Sequence, residues 1–400
     1  MLLNPNFALL WSGQTVSVMG SQVSTLAIPI LVLALTGSAA QAGFVSGVRL
    51  VPYLVLSLPA GALVDRWDRR TTMIVANAVR GLALGTIPVA YVAGHLSIWM
   101  LYAVVLVEGT AFVFFTIAHV ASLVRIVSAR ELAPATAMME GSGSVATLIG
   151  PGVAGVIIGL AKTTAAGAVV GLAVDAVSYL ASIASLLLIR VSLRVERTGR
   201  SIASLPGEIR DGMAFLFRHG HLRVLALLGL NLGLLVIPTD LAGIVLFRQQ
   251  LHFSAATIGL IFSAGGLGAV AGSAVGAWFR ARFRLSHVIY GTLLVQALSA
   301  AAMAVTASPL VFALGMLFET MMLPIYNISQ SAYRLQLIPD AMQGRVNSVF
   351  RLIALGSQPA GLAAAGLVMN ATGPRVVLWA IAGGFIAAGA LVGLTRLRDA

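Results

Sequence analysis

Four carboxylates interrupt long apolar stretches of this chain: Glu108, Asp175, Asp240 and Glu319. If those stretches lie in a bilayer, each acid near its centre costs on the order of 2.5–3.5 kcal/mol on insertion scales, so its presence needs a reason. The chemistry open to it is proton uptake and release, because a carboxyl that meets water in one state and apolar protein in another changes its proton affinity between them. The structural alternative is pairing with Arg49, Arg80 or Arg351, which also stand inside apolar stretches. Other polar groups in such stretches suit a ligand: Gln14, Asn231, Tyr326, Asn327 and Gln330 offer hydrogen bonds, and Phe112, Phe114, Phe115 and Phe318 offer apolar contact. Apolar walls with a few polar points fit amphipathic organic molecules. The absence of cysteine excludes disulfides and thiolate chemistry. No metal-ligand spacing and no Gly-x-x-x-x-Gly-Lys phosphate loop occurs, so neither a metal cofactor nor ATP is expected.

The elements that must position these groups follow from composition. The chain is 59% hydrophobic and 10% charged, against about one-quarter charged in soluble proteins. A bilayer core needs about 20 apolar residues per helical span. Runs separated by Gly, Pro, Ser and Arg clusters predict twelve spans: 8–35, 43–64, 71–93, 97–121, 136–160, 166–189, 222–247, 255–279, 286–306, 308–333, 344–369 and 376–395. The net charge of +12 is punctuation between these runs and not one basic face, which argues against a nucleic-acid partner. With a cytoplasmic N-terminus, only Lys162, Arg248 and Arg375 fall in outside loops, and Arg49, Arg80 and Arg351 fall within spans. The other basic residues are all cytoplasmic, which predicts that both termini face the cytoplasm. The near-exclusive use of Arg over Lys, with abundant Ala and Gly, points to a bacterial protein and hence to its inner membrane. The first run lacks a basic leader and reads as a retained span. Between spans 6 and 7, Leu205–Pro206 opens a segment with Ile209, Met213, Leu216 and Phe217 on one face, read either as a helix lying on the membrane surface or as a solvated linker.

The two halves echo each other at a spacing of roughly 200 residues. Gly61-Ala62-Leu63-Val64-Asp65-Arg66-Trp67-Asp68-Arg69-Arg70 closes span 2, and Gly276 to Arg284, with Arg280, Arg282 and Arg284, closes span 8. Gly150-Pro151-Gly152 in span 5 is echoed by Gln358-Pro359-Ala360-Gly361 at the matching depth of span 11. The expected organisation is a six-helix bundle over 1–190, a linker with an interfacial helix over 191–221, and a second six-helix bundle over 222–400. The fold class is all-α membrane protein.

Gly61 to Arg70 resembles the loop 2–3 motif of the major facilitator superfamily, and Gly150-Pro151-x-x-Ala154-Gly155 resembles the span-5 motif of its drug:proton antiporters. Leu35 to Ser38, Ala62 to Arg70 and Gly344-Arg345-Val346 look like the subgroup that holds macrolide and siderophore exporters. The resemblance implies that Asp65, with Gly61, Arg66, Arg69 and Arg70, forms a gating latch whose partner is span 11 near Gly344 and Arg345. It implies a tightly packed hinge at Gly150, Pro151 and Gly155, for which plain packing is the equal alternative. It also implies that spans 4, 7 and 10 line the cavity, so Glu108, Asp240 and Glu319 become the proton-coupling candidates. Asp175, on the peripheral span 6, then reads as bonded to a neighbouring hydroxyl. The chain departs from the family where a span-4 Arg would stand, since Val105 lies four residues before Gly109, and where Arg280 replaces the acid in the second half.

The function so implied is proton-driven efflux of small amphipathic compounds such as a drug, antibiotic or siderophore, by a monomer whose other partner is membrane lipid. Nutrient import by a symporter or facilitator shares the fold, and the direction of proton-linked movement separates the two. A membrane-embedded enzyme would need polar groups clustered at one membrane face, and the dispersed acids argue against it.

Overall fold

Backbone N–H and C=O groups in hydrocarbon must be satisfied within their own segment, and each predicted span is accordingly a helix. The computed structural model describes residues 4–191, 193 and 205–395. Among them, twelve helical segments are long and apolar enough to cross a membrane. In chain order the helices are α1 (Pro5–Thr36), α2 (Ala39–Val48), α3 (Val51–Val64), α4 (Arg69–Val92), α5 (Ile98–Ile126), α6 (Leu132–Leu160), α7 (Thr164–Leu188), α8 (Leu205–Arg218), α9 (Gly220–Val245), α10 (Ala255–Arg282), α11 (Leu285–Val305), α12 (Pro309–Leu337), α13 (Asp340–Thr372) and α14 (Pro374–Gly393). Their starts are set by side-chain caps where the sequence supplies them. Asn4, Asp68, Ser97, Thr163 and Ser254 each accept a backbone N–H of the following turn. Gly37, at φ 64°, ends α1 in the left-handed conformation that glycine adopts without steric cost.

The chain forms two units. Unit 1 comprises residues 1–37 and 48–203, and unit 2 comprises 38–47 and 204–400. This differs from the expected partition in two places. The predicted second span is broken at Arg49–Leu50, with Pro52 just after the break, and its first segment groups with unit 2. There a side chain at Gly43 would collide with the carbonyl of Leu362, and Gly366 lies against Ala39 and Ala40, so glycines on both sides let α2 and α13 touch backbone to backbone. The segment read as a surface helix or a linker is helical, as α8, and belongs to unit 2. Gly212 sits against the Arg345 backbone and Asp211 accepts a 3.1 Å ion pair from Arg345 at the start of α13. Its apolar residues divide: Leu216 is buried, while Met213 and Phe217 stay exposed. Most of the preceding linker, with Arg194, Arg197 and Arg200, lies outside the described residues.

Within unit 1, α1 packs on α6 and α7, α4 on α5 and α7, and α3 on α5. A buried cluster including Phe7, Met73, Phe115 and Leu186 ties these helices at one end. Within unit 2, α10 packs along α12, α9 along α13 and α14, and α11 along α12 and α14. The α10–α12 contact rests on Gly268, Gly272 and Gly276, spaced four apart, where added Cβ atoms would strike the carbonyls of Leu317 and Met321 and the side chain of Ile328. Thr320 completes the contact by donating to the Gly265 carbonyl at 2.5 Å. We expect Gly272→Leu to cost about 1–3 kcal/mol or more, because the added bulk must push the two backbones apart. Gly291→Leu on α11, where nothing lies within 4 Å, should cost far less. Equal thermal midpoints for the two purified variants would refute this packing argument.

Candidate functional site

The loop motif comes first. Asp68 closes its loop by capping α4, accepting from Thr71 N at 2.8 Å. Arg69 donates to the carbonyl of Ala121 at 2.7 Å, and Arg70 donates to the carbonyls of Leu186 and Leu187. The Leu186 and Leu187 carbonyls belong to the last turn of α7, where the helix dipole is negative and carbonyls lack intrahelical partners, and Ala121 stands just before the last turn of α5. The motif therefore staples three helices of unit 1 together through chemistry that its sequence pattern does not reveal. Asp65 ends α3, and its carboxylate has no hydrogen bond among the described residues, with Arg69 within electrostatic reach. Arg66 is exposed beside it.

The second group is a buried charge cluster. Glu108 of α5 is 2% exposed and pairs with Arg49 Nε at 2.8 Å and with Arg80 Nη2 at 2.8 Å. Arg80, from α4, also lies over the rings of Tyr179 and Phe112 at 4.4 Å and 5.1 Å. Gly109 follows Glu108 and leaves room for the Arg49 carbonyl, which a Cβ at that position would strike. One two-residue step of α5 thus receives both the side chain and the backbone of the break in the second span. Asp175 of α7 accepts from Ser24 Oγ of α1, and Tyr179 OH lies 3.2 Å from Ser21 Oγ. Glu108 is thus ion-paired and Asp175 bonded to a hydroxyl of α1, the structural arrangement considered for each. Ser21, Ser24 and Tyr179 escaped notice, because single hydroxyls in an apolar helix give no pattern.

The third group is in unit 2. Glu319 of α12 is 3% exposed, and neither carboxyl oxygen has a hydrogen-bond partner among the described residues. The polar groups facing it are Asp240 and Thr239 of α9. Thr239 donates to the carbonyl of Leu235 at 3.0 Å. Asp240 is less enclosed than Glu319. It stands two residues after Pro238, and the helix passes into a π-helical stretch at Leu246–Gln250. Two acids on different helices with no cation acting on Glu319 can take up and release a proton.

The remaining candidates are dispersed. Gly150 packs beneath Gln22, which donates to Thr147 at 2.8 Å, and α6 runs through Pro151 without a break. Gly155 is buried, whereas Gly141 and Gly143 face open space. Tyr326 is 3% exposed with an unbonded hydroxyl, and the amide oxygens of Gln14 and Asn231 are buried without partners. Asn231 also donates to Gly384 O at 3.4 Å. Asn327 is exposed, and Gln330 approaches Ser331 at 3.5 Å.

Residues 2–400 match the family model described as transmembrane secretion effector, MFS_3. The chain belongs to that family. Its fold is that of the major facilitator superfamily. It superposes on the nucleoside transporter NupG with a TM-score of 0.79, over 97% of this chain and 98% of the other, at 15% identity. It is 26% identical over 418 positions to the multidrug efflux pump Tap of Mycobacterium tuberculosis, covering 99% of this chain and 94% of that protein. It is 25% identical over 223 residues to macrolide efflux protein A of Streptococcus pyogenes, covering 56% of this chain. That match spans about half the length of macrolide efflux protein A, 54%. The family member is thus a multi-pass membrane protein.

Proposed function

We propose that the protein exports small amphipathic organic compounds, drugs or antibiotics among them, across the bacterial inner membrane in exchange for protons. Both termini would face the cytoplasm, and the two units would alternate access. The observation that carries the coupling is the unpartnered, buried Glu319 facing Asp240. An acid kept in an apolar span without a hydrogen-bond partner gives up stability, and proton handling is the function that repays it. The near full-length likeness to the efflux pump Tap supports export over import. Asp65, at the end of α3, is the proposed latch, and Gly150, Pro151 and Gly155 the proposed packing hinge. No resident cofactor is required, and the proton gradient supplies the drive.

The test is expression in a drug-sensitive, efflux-deficient host. Resistance to at least one macrolide or cationic dye should rise, and dye efflux from energised cells should stop when a protonophore collapses the gradient. Protonophore-sensitive accumulation in place of efflux would instead establish an importer.

A further inference from the structure

The sequence repeat of the loop motif has a different fate in unit 2. At the junction of α10 and α11 a concave pocket of about 400 Å³ is walled by Arg280, Arg282, Phe283, Arg284, Tyr333 and Gln336. No carboxylate lines it among the described residues, and the side chains of the three arginines have neither ion pair nor hydrogen bond there. The Nε of Arg280 is shielded from solvent and still lacks a partner. Tyr333 is held by His221 Nδ1 at 2.7 Å, a contact that brings in no negative charge. In unit 1 two of the three matching arginines are engaged, Arg69 and Arg70 by main-chain carbonyls, while Arg66 is exposed, and Asp65 and Asp68 stand among them. Setting membrane orientation needs only the presence of positive charge near a span. It does not need three arginines to line one hollow that no carboxylate shares.

We propose that this pocket binds the phosphate of an anionic phospholipid headgroup. Planar guanidinium forks match phosphate oxygens with paired, charge-assisted hydrogen bonds. Basic pockets between membrane helices are suited to such headgroups. The source is lipid, and not free phosphate, because the pocket sits where a span ends and is flanked by Trp278 and Phe283, 58% and 43% exposed. Aromatic rings so placed favour the boundary between headgroup and acyl chain. The site is independent of the direction and coupling of transport.

The protein would be placed in phosphatidylcholine nanodiscs with increasing phosphatidylglycerol, reading lipid retained by native mass spectrometry and the thermal midpoint. Saturable retention of phosphatidylglycerol with a rising midpoint is expected. Arg280→Gln with Arg284→Gln should raise the phosphatidylglycerol fraction needed for half-saturation roughly tenfold or more. Arg218→Gln with Arg223→Gln, which removes the same charge from exposed positions on α8 and α9, should leave it unchanged. Arg282→Gln alone should give a smaller loss and keeps the test open if the double variant fails to fold. Equal loss from both pairs would show diffuse surface attraction and overturn the proposal. So would a full midpoint shift from inorganic phosphate alone, or unchanged retention in every pocket variant.

Discussion

Replacing Glu108 by Gln is expected to destabilise the folded protein by on the order of 3–5 kcal/mol, the range for removing one partner of a buried ion pair. Gln preserves the shape and loses the charge that balances Arg49 and Arg80, both 2.8 Å away. The side chain of Arg80 is 3% exposed, so water cannot replace the missing carboxylate. Asp175 is the other acid near Arg80, and Ser24 already engages its carboxylate. Removing a cation along with the anion should recover some of the loss, so Glu108→Gln with Arg49→Met should be more stable than Glu108→Gln alone. The measurement is the monodisperse fraction after heating the detergent-solubilised protein. A wild-type midpoint for Glu108→Gln would mean that the cluster contributes no net stability.

The opposite pattern is expected at Glu319. Its carboxyl oxygens hold no hydrogen bond, so Glu319→Gln should leave the thermal midpoint unchanged or raise it. Transport should respond in the other sense. If Glu319 and Asp240 carry the proton, Glu319→Gln and Asp240→Asn should each abolish uphill efflux driven by a pH gradient. Downhill exchange of substrate should survive, since it needs no proton to cross. Proteoliposomes with and without an imposed pH gradient separate these outcomes. Uphill pumping at the wild-type rate by both variants would remove both acids from the coupling step. The contrast between Glu108 and Glu319 is what informs, because both are buried acids of the same type. One is expected to fail in folding and the other in function.

What the sequence determined by itself was what depends on local apolar length. Eleven of the twelve spans lie within about five residues of the runs that predicted them, because a helix in lipid is specified largely by its own composition, and the second is split into α2 and α3. The tertiary structure decided which groups meet. Glu108 lies 28 residues from Arg80 and 59 from Arg49, and Asp175 lies 151 from Ser24. Helical periodicity names the face a residue occupies, and it does not name the helix opposite that face. Glycines show the same division. Gly272 and Gly143 read alike in the sequence, yet one sits under a neighbouring carbonyl and the other faces open space. The arginines of the two loop repeats also read alike, and only their surroundings distinguish those bound to helix ends from those left to bind an anion. A side chain's type fixes what it can bond, and the packing of distant helices fixes whether a partner is there.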